Sequence, residues 1–223
     1  MSSDVPAYKG YRMKNWYKIE LGDLITEAKE IWTYVCDNIH EDNPVIKHMR
    51  KPNPYFTHVN LGVQSKQWSY FRELFGEITD EPCLLEFYVA EPHNYVANPH
   101  TDRGRSVAIN IPVQVDLEKS DAYFGKYTSL DDYQHTSNNA PYTFKLMDSK
   151  GKAKQEINQH FQGKYEAELY DSVDFDKSVV FNPAMPHGGW NKSDDIRVLL
   201  SLSWFETSFE EFTNKSKELG YIL

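Results

Sequence analysis

Nowhere does the chain approach the ~20 consecutive apolar residues that a helix needs to cross a bilayer. The opening MSSDVPAYKGYRMKNW also lacks the apolar run of a secretory leader. No membrane role is therefore expected, and a cytoplasmic protein is. Cysteine is nearly missing: Cys36 and Cys83 are the 2 in 223 residues, far apart and each within an apolar run. Neither has a second cysteine or a histidine at zinc-ligand spacing, and two buried free thiols are expected in preference to a disulfide. Basic residues are outnumbered, 24 Lys and Arg against 33 Asp and Glu, for a net charge of −9. Proteins that coat phosphate backbones carry the opposite balance, so nucleic acid is not expected as a partner. Internal repeats and low-complexity tracts are absent as well, which removes solenoids and arrays.

Aromatic side chains are plentiful instead, with 15 Tyr, 12 Phe and 5 Trp. Flat rings and β-branched groups pack well on a pleated surface. A chain of this length builds one sizeable core. A single domain over residues 1–223 is expected, with a helical part to about residue 80 and a β core from about 83 to 206.

From about Gly22 to His40, the residues Leu24, Ile25, Ala28, Ile31, Trp32, Val35, Cys36 and Ile39 recur at helical steps, with Asp23 as N-cap. A second helix is predicted over Ser65–Phe75, with Trp68, Phe71, Leu74 and Phe75 inward and Gly76 as its stop. Between them KPNPYF reads as loop. From Cys83 the period falls to two. CLLEFYVA, SVAINIPVQV, YTFKLM, YEAELY, KSVVFN and RVLLSLSWF are strand candidates. In the second, Val107, Ile109, Ile111, Val113 and Val115 alternate with Ala108, Asn110, Pro112 and Gln114. In the last, Arg197, Leu199, Ser201 and Ser203 share one face. The polar stretch Asp116–Ala140 reads as a surface excursion or a substrate-facing lid carrying Tyr123, Phe124, Tyr127 and Tyr133. A final helix is predicted over Ser208–Leu219. Helices followed by about six strands fit a β-sandwich or jelly roll with helices on one outer face.

The chain holds 8 histidines and two His-x-Asp pairs. His40-Glu41-Asp42 ends the first helix, where residues two apart diverge, and reads as a solvated turn. His100-Thr101-Asp102 precedes the cleanest strand. On an extended segment alternate residues face one side, so imidazole and carboxylate reach a common ion. Downstream, KSVVFNPAMPHGGWNKSDDIRVLLSLSWF puts His187 after one strand candidate and Arg197 at the head of the next. Gly188-Gly189 and the stretch from Asn191 to Asp195 read as a turn joining the two as a hairpin. Arg197, heading an apolar strand, needs an anionic partner if even half buried. That partner is Asp194, Asp195 or another carboxylate of the chain, or a ligand.

The motifs HTD, FNPAMPHGG and the arginine opening RVLLSLSWF resemble those of the 2-oxoglutarate/Fe(II)-dependent dioxygenases, over roughly residues 84–205. The resemblance implies a mainly β fold, a double-stranded β-helix (jelly roll) with flanking N- and C-terminal α-helices. It implies Fe(II) on His100, Asp102 and His187, with 2-oxoglutarate chelating the metal and its remote carboxylate on Arg197. O2 would be the other co-substrate, and hydroxylation of an unidentified small molecule or protein side chain would release succinate and CO2. Two imidazoles and a carboxylate on one face of an octahedral ion leave three adjacent positions for these reactants. Tyr88 and Asn110 are candidates for the co-substrate carboxylates. The hydroxyl residue that many family members carry two positions after the arginine is Leu199 here, and Ser201 or Ser203 would replace it. Arg103 and Arg105 flank the motif, facing an anionic substrate or solvent. His93 is a candidate pocket wall; His48, His58, His135 and His160 read as structural or solvated. Two rival readings stay open: a cupin-like metal-dependent isomerase or hydrolase, and a non-enzymatic jelly-roll binding module.

Overall fold

The computed structural model describes residues 14–38, 46–53, 56–61, 66–100, 102, 104–127, 142–147, 153–159 and 165–222. The first part of the chain gives β1 (Trp16–Ile19), α1 (Leu24–Asn38), β2 (Ile46–Asn53), β3 (Phe56–Leu61) and α2 (Lys66–Leu74). Then follow β4 (Leu84–Ala90), β5 (Asn94–His100), β6 (Val107–Gln114), β7 (Ser120–Tyr127), β8 (Tyr142–Met147) and β9 (Ala153–Gln159). The chain ends with β10 (Tyr165–Val173), β11 (Ser178–Phe181), β12 (His187–Asn191), β13 (Arg197–Trp204) and α3 (Phe209–Glu218).

The strands form two sheets. A major sheet has the order β1-β11-β6-β13-β4-β3-β2, and a minor sheet the order β5-β12-β7-β10-β8-β9. From β4 to β7 and again from β10 to β13 the chain switches sheet at each strand: β4, β6, β11 and β13 lie in the major sheet, and β5, β7, β10 and β12 in the minor, with the β8–β9 hairpin keeping the chain in the minor sheet between β7 and β10. This alternation is the jelly roll, two Greek keys wrapped face to face. β1 and the β2–β3 pair extend the major sheet at its two edges, so the part before residue 80 supplies three strands besides its helices.

The helices cover the outer face of the major sheet. Leu24, Ala28, Ile31 and Val35 of α1, Phe71 of α2, Phe75 just beyond it and Phe212 of α3 are buried there with Val107, Ile109, Ile111, Val198, Leu200, Leu202 and Trp204. Asp23 caps α1, accepting the Thr26 N–H at 3.2 Å. Ser208 and Glu211 form a reciprocal capping box on α3. Between the sheets lies a second cluster: Ala108, Val179, Phe181 and Leu199 meet Ala122, Phe124, Val173 and Phe175. With both faces covered, β13 is buried from end to end. Its inward residues Arg197, Ser201 and Ser203 are polar, which is costly in a dry interior unless something uses them. That row locates the site.

Trp204 is fully buried on the outer face, its ring edge-on to Phe75 at 5.2 Å and 4.8 Å from Phe212. Its Nε1 donates to the Glu81 carbonyl at 3.1 Å. Trp204→Ala is expected to lower the free energy of unfolding by about 3–5 kcal/mol, read from the urea midpoint; a change under about 1 kcal/mol would contradict this packing.

Several expectations are corrected. Lys51, Pro52 and Asn53 of KPNPYF end β2 and Phe56 opens β3. β2 is an edge strand, where a proline without an N–H is tolerated. Cys36 is exposed, because the buried line of α1 runs through Val35 and passes it by. Cys83 is buried, its thiol pushed up to about 12 chiefly by desolvation, and both cysteines are free. The Gly188–Asn191 stretch is strand, not turn, and β11 and β13 are not hairpin partners, since β6 lies between them. The chain crosses to the minor sheet as β12 and returns. β7 runs through the proposed lid, with Tyr123 and Phe124 buried, so that part is scaffold. Residues 128–140, including Tyr133 and His135, lie outside the described residues, as do the His40–Asp42 pair, Arg103 and His160.

Candidate metal and carboxylate site

β5 and β12 are antiparallel neighbours, and their register sets His187 directly opposite His100. The backbone positions are thereby side by side; the His100 side chain is outside the described set. Asp102 follows two residues on. Its N–H donates to the Pro183 carbonyl at 2.8 Å, and its carboxylate Oδ2 stands 3.5 Å from His187 Nε2.

His187 is held from behind. Its Nδ1 lies 2.9 Å from the Met185 carbonyl, which can only accept, so Nδ1 carries a proton and the ring is held with Nε2 facing Asp102. The ring packs against Phe181 with centroids 4.9 Å apart. The loop that does this is itself wired through the main chain. Asn182 N–H donates to Asn15 O at 2.9 Å, Met185 N–H to Asn182 O at 3.1 Å, and Gly125 N–H to Pro186 O at 2.8 Å. The Asn182 side chain accepts the Ala184 N–H at 3.0 Å.

Two donors bound at about 2.0–2.2 Å to one ion lie roughly 3–3.5 Å apart. The Asp102–His187 separation of 3.5 Å fits that requirement. A neutral imidazole and a carboxylate are also the right donor types for a divalent first-row metal. Among the described side chains no cluster of three His, Cys, Asp or Glu residues occurs; Asp102 and His187 converge, and the β5–β12 register sets the backbone of His100 opposite His187.

Solved structures similar to this chain include 2-oxoglutarate/Fe(II) oxygenases. One is an oxidoreductase of the 2OG-Fe(II) oxygenase family from Burkholderia pseudomallei, with 9% identity and a TM-score of 0.36 over 69% of each chain. A Pseudomonas putida prolyl-4-hydroxylase has 10% identity and a TM-score of 0.44, covering 88% of this chain and 95% of that one. Drosophila melanogaster CENP-C, solved bound to CAL1, has 6% identity and a TM-score of 0.36, covering 80% and 97%. Of two other matched proteins the chain spans only 36% and 46% of their length. No family model matches the chain, and no curated protein matches it in sequence. Likeness at these scores concerns fold and carries no weight for activity.

Arg197 heads β13 on the jelly-roll interior and is 3% exposed. Its Nη1 donates to the backbone carbonyls of Asp121 at 3.3 Å and Trp190 at 3.4 Å, and its Cζ stands 5.2 Å from the Phe175 ring. The buried Nε has no hydrogen-bond partner among the described residues. Nor does any described carboxylate pair with it. Asp194 binds His93 and Lys119 instead, and the Asp195 carbonyl caps Asn191 and Ser193. Burial pulls the guanidinium down to about 9, against smaller opposing effects of Asp121 and Tyr123, so it remains charged at neutral pH. Gly189, on β12, makes the room: a Cβ there would stand 2.9 Å from Arg197 Nη2 and 3.1 Å from Nη1.

Tyr88 and Asn110 both face the interior. The Tyr88 hydroxyl donates to Glu86 Oε2 at 2.9 Å, and burial raises its pKa. Asn110 Oδ1 is buried without a hydrogen-bond partner among the described residues. Leu199 is part of the inner apolar cluster, Ser201 receives Arg105, and the buried Ser203 Oγ has no hydrogen-bond partner among the described residues. His93 does not line the site. It is exposed, has φ 56°, and pairs with Asp194 at 2.9 Å. His48 and His58 lie on β2 and β3, with side chains outside the described set.

Sequence reasoning missed two organising residues. Arg105 is not solvated but turned inward, with Nη1 2.8 Å from Asp102 Oδ2. Asn191 is buried; its Nδ2 faces the carbonyls of Glu91 at 3.0 Å and Asp195 at 2.9 Å while its Oδ1 accepts the Ser193 N–H at 3.3 Å. It thereby fixes the turn that delivers Arg197. The sequence signal for Asn191 is a polar residue inside a predicted turn; Arg105 stands out only as a charge flanking the His100–Asp102 motif, read as facing an anionic substrate or solvent.

Proposed function

We propose that this chain is a 2-oxoglutarate- and O2-dependent non-haem iron oxygenase that hydroxylates a small molecule or a protein side chain. The observation that carries the reading is the convergence of Asp102 and His187 at 3.5 Å beside the backbone position of His100. His100, Asp102 and His187 would hold Fe(II), and Arg197 would take the remote carboxylate of 2-oxoglutarate. When bound, the iron supplies the oxidative decarboxylation of 2-oxoglutarate to succinate and CO2 and the oxidising power for a C–H bond.

The chain's own residues do the rest. Met185 holds the His187 ring through Nδ1, so that Nε2 is the nitrogen presented beside Asp102 for a metal. Arg197 offers a buried planar fork able to make two parallel charge-assisted hydrogen bonds to a carboxylate. Phe181 beside His187 and Phe175 beside Arg197 keep bulk water away from both. A cupin-like isomerase or hydrolase has no use for that buried cation, which favours the oxygenase. One observation favours the non-enzymatic module: Asp102 already has a cationic partner in Arg105.

Anaerobic addition of Fe(II) and 2-oxoglutarate is expected to produce a visible charge-transfer band, and admission of O2 to produce succinate. Absence of both would remove the oxygenase reading and leave the cupin-like metal enzyme and the binding module.

Arg197 also yields a pH expectation. Its pKa is lowered on folding, so its unpaired charge opposes folding at every pH below about 9, and the penalty fades only as pH rises from there toward 12.5. A carboxylate ligand removes the penalty at neutral pH. At 100 times its Kd, 2-oxoglutarate without metal should therefore add about 2.7 kcal/mol, roughly 5–10 °C in Tm for a chain of this size. The increment is expected to be level from pH 6 to 8 and to shrink as pH rises beyond about 9. An increment that grew with pH in thermal melts would contradict a cationic receptor.

A further inference from the structure

Asp102 belongs to the loop that leaves the minor sheet after β5, while Arg197 belongs to the major sheet. Metal and remote carboxylate would thus be gripped from opposite sheets, and something must set the spacing between them. Arg105 spans that gap. Its Nη1 reaches Asp102 Oδ2 at 2.8 Å and the Tyr88 hydroxyl on β4 at 3.2 Å. Its Nη2 reaches Ser201 Oγ on β13 at 2.9 Å. The β13 register aligns Ser201 with Glu86 on one side and Asn110 on the other, so the guanidinium rests on a polar row that crosses three strands. Tyr88 in turn donates to the buried Glu86. Gly104, at φ 83°, lets the chain turn inward between Asp102 and Arg105, a conformation that other residues adopt only with strain.

We propose that Arg105 is the positioning residue of the metal site, fixing the Asp102 carboxylate relative to the major sheet through its joint anchorage on Tyr88 and Ser201. This rests on the metal-site reading above and deepens it. Main-chain bonding of Asp102 N–H to Pro183 O fixes its backbone, and beside His187 the guanidinium gives its carboxylate a side-chain hold from the major sheet's side. The planar fork serves the three partners from two nitrogens held in a fixed plane; an ammonium at the same position keeps the charge but gives up that geometry.

The test uses Co(II) as the probe on the intact chain, with affinity from calorimetry and coordination from the visible d–d spectrum. Arg105→Lys is expected to weaken Co(II) binding on the order of 10–100-fold and to alter the spectrum, while the metal-free Tm increment from 2-oxoglutarate persists because Arg197 is untouched. Co(II) affinity within twofold of wild type, with a superposable spectrum, would overturn the assignment and leave Arg105 a mere counter-charge. Loss of the 2-oxoglutarate increment at unchanged Tm would also overturn it, by making Arg105 a direct carboxylate contact. Should Arg105→Lys fail to melt cooperatively, Ser201→Ala removes one anchor and keeps the arginine. It is expected to weaken Co(II) binding several-fold, and wild-type affinity there would count against the proposal. Wild-type protein that takes up no Co(II) overturns the metal-site reading itself, an outcome distinct from wild type and variant binding alike.

Discussion

Gly189→Ala is expected to give a protein that still melts cooperatively but gains no stability from 2-oxoglutarate. A methyl at this position would sit 2.9 Å and 3.1 Å from the two terminal nitrogens of Arg197, and 3.2 Å from the Asp121 carbonyl. The carbonyl is part of β7 and cannot retreat far, so the guanidinium is what moves. Crowding of this kind costs the fold about 1–3 kcal/mol. The larger effect falls on the ligand. Two hydrogen bonds to a charged group are worth about 1.5–3 kcal/mol each, and each 1.4 kcal/mol is tenfold in affinity. A loss on the order of 10²-fold or more follows, measurable by ligand-dependent thermal shift or calorimetry. If the alanine variant bound 2-oxoglutarate as well as wild type, Arg197 would not be its receptor.

His187→Ala is expected to separate metal from co-substrate. The imidazole is firmly seated, backed by Met185 O and packed on Phe181. Its removal takes away a ligand outright, so the fall in Fe(II) or Co(II) affinity should exceed the ~10–100-fold typical of losing only an outer partner. The anaerobic charge-transfer band should vanish. The metal-free Tm increment from 2-oxoglutarate should remain, because Arg197 and Gly189 are unchanged. Calorimetry showing intact metal affinity in this variant would strike His187 from the ligand set and, with it, the iron reading.

Much of this is legible in the sequence. The alternation of β6 and β13 gave the right faces, with Val107, Ile109 and Ile111 turned to the helices and Ala108 turned to the other sheet. It succeeded because a strand's period is fixed by backbone geometry alone. α1, α2 and α3 emerged within a few residues for the same kind of reason, with Asp23 and Ser208 bonding first-turn amides. What failed were statements about partners. The β11–β13 hairpin was inferred from Gly188-Gly189, yet Gly189 is small to admit a guanidinium brought by a strand of the opposite sheet. β7 was hidden because half-polar residues such as Ser120, Asp121 and Tyr123 find their partners far along the chain, as when Tyr123 faces Gly188 in the ladder. Arg105 was equally opaque. Nothing local distinguishes an arginine that will be solvated from one that will lie over Ser201, 96 residues away. Pairing between sheets is a property of topology, and local patterning carries little of it.

The hexapeptide from Asn182 to His187 grips its surroundings mostly with peptide oxygens: Pro183 O on the Asp102 amide, Met185 O on the imidazole, Pro186 O on the Gly125 amide. Oxygens of that kind are offered by every amino acid. The lettering at Ala184 and Met185 is consequently free to wander through mutation while the loop keeps its path, and kinship at this point of the molecule is recorded in three-dimensional course more durably than in spelling.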